Sequence, residues 1–149
     1  MKIKSVLAKP FAGYIYKTIQ KNKLTAVPDQ EQILKQLIKV GRGTDYGKEL
    51  GLDKVNGYEE YKQAVAIRDY EQMRPWIDKI IEGKHNVLWK GVPLYFAKTS
   101  GTTSGAKYIP ISKESMPFHI SGARDALLHY VHYSGNSAFL DQKLIFLSM

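Results

Sequence analysis

Thr99-Ser100-Gly101-Thr102-Thr103-Ser104-Gly105-Ala106-Lys107 is the stretch of this chain whose residue types are best suited to chemistry. Its nine positions hold five hydroxyls, two glycines, one small spacer and a terminal ammonium. Apolar runs at 92–97 and 108–111 flank it and read as strands. Glycine lets a backbone approach a ligand closely. Exposed N–H groups in such a loop form an anion-binding concavity, to which hydroxyls add donors and a lysine adds charge. The chemistry indicated is the grip of a polyphosphate, with that of ATP first in line. The plainer reading is a polar surface turn. Connections between neighbouring strands run to about 2–5 residues, so nine residues without an acidic or large apolar side chain fit that reading less well.

Three known patterns fail on this loop. Walker A needs Gly-x-x-x-x-Gly-Lys-Ser/Thr, whereas Gly101 and Gly105 are too close, Ala106 precedes Lys107, and Tyr108 replaces the magnesium-holding hydroxyl. No Gly-x-Gly-x-x-Gly dinucleotide fingerprint occurs. Ser104-Gly-Ala-Lys107 satisfies the Ser-x-x-Lys signature of penicillin-recognising enzymes literally, but it ends a glycine-rich loop instead of opening a helix, and no Ser-Asp-Asn element follows. The histidines form the other candidate cluster. His129 and His132 are three apart on an expected helix, with His119 ten residues before His129. Such a pair can present two imidazoles to a metal. No third ligand stands at metal-site spacing, so no metal site is assigned and ordinary helix packing is the preferred reading. His85 reads as a loop residue.

Helical patterns dominate the elements leading to the loop. Ile3, Val6, Leu7, Phe11, Ile15 and Ile19 predict an amphipathic helix over 3–21, which Pro10 can break or kink. A second helix is expected to open near Pro28 and Asp29 and to close at Gly41, its apolar face formed by Ile33, Leu34, Leu37 and Ile38. Loops and a small helix should occupy 41–56, and one or two helical turns 58–64. Asp69 with Gln72 resembles a capping box, opening a helix to about Glu82 that Pro75 should kink or restart and Gly83 should end. Residues 87–90 and 92–98 then read as two short strands turning at Gly91. After the strand at 108–111, Ser112 or Ser115 can cap a helix that runs to about Tyr133, with Pro117 in its first turn. A turn is expected at 134–136. Leu144–Leu147 reads as a strand buried on both faces. The expected class is α/β: a mainly helical segment at 1–86, then at 87–149 the start of a sheet carrying the loop at 99–107, both parts of one incomplete domain. Because the chain stops just after a run that reads as a central strand, the expectation is the opening portion of a larger protein or a truncation.

Composition bounds the rest. The 149 residues are 44% apolar and 24% charged and contain no cysteine, which excludes disulfides, thiolate metal sites and a cysteine nucleophile. Of the net charge of +8, six positive charges belong to Lys2, Lys4, Lys9, Lys17, Lys21 and Lys23, ahead of the first acidic residue, Asp29. A lysine-rich, solvated helix face is the preferred account. The rival from another functional class is a non-catalytic domain that docks an anionic partner or membrane surface through that helix. No nucleic-acid motif accompanies the charge, which argues against a nucleic-acid partner. There is neither a signal-peptide core nor a run of about 18 apolar residues, so no transmembrane segment is expected and a cytoplasmic location is the default.

The loop resembles the phosphate-binding loop of adenylate-forming enzymes, the acyl-CoA synthetase and luciferase superfamily, whose pattern is roughly Thr-Ser-Gly-Thr-Thr-Gly-x-Pro-Lys. The later Gly and Pro are here Ser104 and Ala106. One branch is closer: the auxin-responsive acyl acid–amido synthetases and their bacterial relatives. Their loop is followed by a hydrophobic residue and Ile-Pro, as at Tyr108-Ile109-Pro110, and their approach to it is similar to Ile67–Ile77, Ile80–Gly83 and Phe96. Plant members usually carry an acidic residue near the loop's end and one more residue before the lysine.

The resemblance implies the large N-terminal domain of an adenylate-forming enzyme, of which this chain would be the N-terminal, bacterial-type part. It further implies a two-step, ATP-dependent ligation with Mg2+ present. A carboxylate attacks the α-phosphate, and an amine or amino acid then displaces AMP. By the same resemblance Ser100, Gly101, Thr102 and Thr103 bind the β- and γ-phosphates, Thr99, Ser104 and Gly105 complete the nucleotide loop, and Lys107 is the catalytic cation. The adenine, ribose and acyl sites and a mobile C-terminal domain belong to the remainder of the enzyme. These 149 residues alone are therefore expected to be inactive.

Overall fold

The capping signals of the sequence are where the chain begins to take shape. The computed structural model describes residues 3–99 and 105–142, which form helices α1 (Ile3–Lys23), α2 (Ala26–Gly41), α3 (Asp45–Glu49), α4 (Tyr58–Ala64), α5 (Tyr70–Ile81) and α6 (Met116–Ser134). Strands β1 (Tyr95–Lys98) and β2 (Tyr108–Ile111) and short 3-10 turns at Leu52–Lys54 and Ala138–Asp141 complete them. The described residues are thus mostly helical with one two-stranded antiparallel sheet, consistent with the opening of an α/β domain. The strand expected at Leu144–Leu147 lies outside the described residues. The chain divides into two compact units, 1–26 with 116–149, and 27–115.

In the first unit α1 packs on α6. Ala12, Ile15, Leu128 and Val131 are its buried centre, with Ile19, Phe139 and Leu140 against it. The face that turns inward is not quite the expected one. Ala8, Ala12, Ile15 and Ile19 recur at helical spacing, and Ala12 and Ile15 enter the cluster with Leu128 and Val131. Val6, Leu7 and Phe11, expected on the buried face, are exposed. Alanine weighs little in a hydrophobicity pattern, so the pattern follows the larger residues while the packing follows the smaller ones. Pro10 and Pro75 each sit within a single uninterrupted helix, so neither breaks its element. Lys4, Lys9, Lys17, Lys21 and Lys23 are exposed. Asp141 Oδ1 accepts the Ser5 N–H at 3.3 Å, satisfying an amide of the first turn of α1. No described helix is long and apolar enough to cross a membrane.

The second unit holds two apolar clusters. Ile38, Leu52 and Val55 form one, with Leu34, Leu50, Tyr61, Ala64 and Val65 around them. Ile33 and Leu37, expected beside Ile38, are instead about half exposed. Arg42 holds the 52–56 loop in place: its guanidinium donates to the carbonyls of Leu52 (3.0 Å) and Val55 (2.7 Å) and to Asn56 Oδ1 (3.0 Å). Trp76, Ile80 and Val87 form the other cluster, joined by Tyr46, Met73, Leu88 and Phe96.

Residues 87–90 are not a strand. Asn86, with φ of 56°, accepts the Gly91 N–H on its side chain (2.8 Å) and donates its own N–H to the Gly91 carbonyl (2.9 Å), closing a compact loop. The Asn86 and Val87 carbonyls accept the N–H groups of Asp45 (2.9 Å) and Tyr46 (3.1 Å). These amides open α3 and would otherwise lack partners.

Lys84 Nζ lies 2.8 Å from Asp45 Oδ2 and ties this loop to the start of α3. The hydrogen bond from Lys84 holds the Asp45 carboxyl below its ordinary value of 3.8, with the charges of Lys84, Lys48 and Lys79 acting in the same sense. A lowered folded-state value stabilises the fold above the ordinary value, and that contribution is lost as pH falls through the lowered one. Lys84→Met should therefore flatten the acid limb of a urea-midpoint profile below about pH 4. An unchanged acid limb would show that the pair does not couple to folding.

Candidate functional site

The hydroxyl- and glycine-rich loop at 99–107 is the connection of a β-hairpin. β1 and β2 pair in the register Tyr95↔Ile111, Phe96↔Pro110, Ala97↔Ile109 and Lys98↔Tyr108. One further bond closes the stem beyond the ladder, the Thr99 N–H donating to the Lys107 carbonyl at 3.0 Å. Both ends of the predicted site thus emerge side by side, with the remaining residues between them. Thr99, Ala106 and Lys107 are half-buried and Gly105 is exposed. Gly105 takes a φ of +81°, and a Cβ built there would meet nothing within 4 Å, so glycine is required for backbone conformation and not for space. Ser100, Gly101, Thr102, Thr103 and Ser104 lie outside the described residues. What can be seen at the stem is two strand ends, a left-handed glycine and a cation, with no carboxylate among Thr99, Gly105, Ala106 and Lys107.

The stem stands on α5. Asp69 and Gln72 form the expected capping box, each side chain accepting the other's backbone N–H at 2.9 Å, which makes Tyr70 the first residue of the helix. From there the Tyr70 hydroxyl accepts the Tyr108 N–H at 2.8 Å. Phe96 anchors the other strand in the Trp76–Ile80–Val87 cluster and meets the Tyr108 ring edge-on at 6.3 Å. The Lys107 ammonium stands over the Tyr70 ring, 5.4 Å from its centroid, and Lys98 Nζ stands 6.0 Å from that of Tyr108. Tyr70 is the residue that sequence reasoning missed. It lies in the run that carried the family resemblance, but nothing local links it to a residue 38 positions on.

Near the end of β2 away from the loop is a cleft of ≈ 200 Å³ lined mainly by apolar side chains, among them Val87, Trp89, Val92, Pro93 and Pro110, with Ser112 and Ser115. The Trp89 indole N–H donates to Glu114 Oε2 at 3.2 Å. Glu114's carboxyl lies below its ordinary range, chiefly through its own backbone N–H, with Trp89, Ser112 and Lys113 adding to the effect. Ser112 caps this turn by accepting the Ser115 N–H at 3.0 Å.

The competing motifs fare differently. Gly105, Ala106 and Lys107, the last three residues of the Ser-x-x-Lys match, are not helical and run directly into β2. His132 stacks on Tyr16 with centroids 4.1 Å apart and 22° between planes, and His129 lies 5.6 Å from the same ring. Aromatic packing within the α1–α6 unit is their observed role. Among the described residues no group of three His, Cys, Asp or Glu side chains is placed to hold a metal.

The GH3 family N-terminal domain matches the chain over residues 16–147. Among curated proteins, the jasmonoyl–L-amino acid synthetase JAR6 of Nicotiana attenuata is 30% identical over 89 residues, covering 58% of this chain and 15% of that protein. The indole-3-acetic acid-amido synthetase GH3.2 of Arabidopsis thaliana is 30% identical over 98 residues, 63% of this chain and 18% of its own length. The jasmonoyl–L-amino acid synthetase GH3.5 of Oryza sativa is 28% identical over 87 residues, 57% of this chain and 15% of its own. The chain thus corresponds to less than a fifth of the length of each of these relatives. No solved structure matches it significantly.

Proposed function

Because this chain belongs to the GH3 family, through its N-terminal domain, we propose that it supplies the phosphate-gripping part of an ATP-dependent acyl acid–amido synthetase. The relatives are synthetases whose names pair an acid with an amino acid or an amide. In this reading a small carboxylic acid attacks the α-phosphorus of ATP, the bond to the bridging oxygen of pyrophosphate breaks, and an acyl-adenylate forms. An amine or amino acid then attacks the acyl carbon. The acyl–oxygen bond breaks, AMP leaves, and the amine loses a proton as the amide forms.

The observation that carries the reading is the hairpin stem. It brings Thr99 and Lys107 together at the two ends of a hydroxyl- and glycine-rich connection whose own sequence holds a lysine and no acidic residue. Ser100, Gly101, Thr102 and Thr103 would contact the β- and γ-phosphates, with Thr99, Ser104 and Gly105 completing the loop. Lys107 would offset the charge that develops on the leaving pyrophosphate. Such groups act by position and field and not by covalent chemistry. Magnesium enters this reading as part of the MgATP substrate, where it neutralises phosphate oxygens.

The test is acid-dependent exchange of labelled pyrophosphate into ATP by the full-length protein, over a panel of small aromatic and aliphatic carboxylic acids. Exchange with at least one acid is expected, and none with the 149-residue chain alone. Exchange independent of any acid would overturn the adenylation reading. Acid-dependent exchange by the short chain would overturn the expectation that it is catalytically incomplete.

A further inference from the structure

We infer that Tyr70 is a positioning residue for this loop: its hydroxyl pins the loop's exit and its ring holds the Lys107 ammonium in place for phosphate. This rests on the phosphate reading above. Two independent contacts converge on the one side chain. The hydroxyl takes the Tyr108 N–H at 2.8 Å, fixing the backbone one residue after Lys107. The Lys107 carbonyl is fixed in turn by the Thr99 N–H at 3.0 Å. Lysine carries its charge on a flexible four-carbon stem, so a fixed backbone alone leaves the ammonium free to wander. The ring face under Nζ, 5.4 Å from the centroid, supplies the missing restraint through its negative quadrupole.

The backbone that carries Tyr70 is itself fixed. As the first helical residue after the Asp69–Gln72 capping box, it cannot rotate about the helix axis without breaking two bonds of 2.9 Å. Arg74, one turn later, also lies over this ring at 5.7 Å. Its charge is met by Glu71 at 2.9 Å. The ring can therefore accept Lys107 without an uncompensated like charge beside it. An aromatic ring restrains an ammonium yet releases it cheaply, as a loop that must take up and discharge pyrophosphate requires.

The test uses the full-length protein with 13C-labelled lysine side chains, the Lys107 signal being assigned by Lys107→Arg. In the wild type the Lys107 ε-methylene should lie upfield through the ring current of Tyr70. Tyr70→Leu should abolish that displacement and weaken binding of inorganic pyrophosphate about two- to fivefold. Tyr70→Phe should keep the displacement but speed exchange of the Tyr108 amide about two- to tenfold, since only the hydrogen bond is lost. An unchanged Lys107 signal in Tyr70→Leu, or unchanged Tyr108 exchange in Tyr70→Phe, overturns the inference. The phosphate reading fails separately, if pyrophosphate leaves the wild-type Lys107 signal unmoved while the ring-current displacement is present.

Discussion

Lys107→Ala in the full-length protein is expected to slow acid-dependent pyrophosphate exchange by about a hundredfold to a thousandfold, the scale of losing one preorganised charge-stabilising group. The effect should appear in the rate more than in the apparent affinity for ATP, because negative charge on the departing pyrophosphate grows as the bond to the α-phosphorus breaks. Ser100→Ala should act in the same direction, by removing a hydroxyl donor from the loop. Folding is not at issue at Lys107. Its side chain is only half-buried, and the contact it loses is with the Tyr70 ring, not with a core cluster. Far-ultraviolet circular dichroism and the urea midpoint should therefore match those of the wild type. Undiminished exchange in both variants would remove the loop from the reaction.

Gly47→Ala is expected to be the most damaging single methyl in the described fold. A Cβ at Gly47 would fall 1.9 Å from the Gly41 carbonyl oxygen, 2.7 Å from its carbon and 3.0 Å from Thr44 Oγ1. The first two are backbone atoms at the end of α2 and cannot swing aside as a flexible side chain would. Relief requires α2 and α3 to separate. That movement would break the turn in which Thr44 Oγ1 donates to the Gly41 carbonyl (2.7 Å) and accepts the Gly47 N–H (2.9 Å). Thr44 is 2% exposed, so these groups would find no ready replacement in water. A loss of about 3 kcal/mol, at the upper end for overpacking, should be read by urea denaturation. Gly43→Ala, whose Cβ would come no nearer than 3.6 Å, to the Val40 carbonyl oxygen, serves as the control in the same turn. Equal midpoints for the two variants would show that the close approach is not a constraint.

Much of the local structure was legible because its causes are local. Asp69 and Gln72 sit three apart and satisfy each other's amides, so the start of α5 could be read from the residues themselves. Tyr108–Ile111 was read as a strand and is one. Where the reading failed, a distant partner had outbid the local pattern. Val87–Lys90 opens on an apolar run that reads as a strand, but the carbonyls of Val87 and of Asn86 before it serve the opening amides of α3, some forty residues earlier. On α1 the face that α6 covers is that of Ala12 and Ile15, which leaves Leu7 and Phe11 exposed. The apolar residues of α2 divide in the same way, Ile38 buried and Ile33 and Leu37 half exposed, according to what lies opposite each.

The candidate site divides along the same line. Residue types and order were enough to choose a chemistry. Hydroxyls, glycines and a terminal lysine in nine positions suit an anion wherever the loop stands, and their flanks led to the GH3 family that the chain matches over 16–147. Tertiary structure alone joined the two ends of the loop through an antiparallel ladder and put Tyr70 beneath Lys107. Those are contacts between residues far apart in the chain. They depend on how α5 packs against the hairpin, a geometry on which the spacing of residues along the loop is silent.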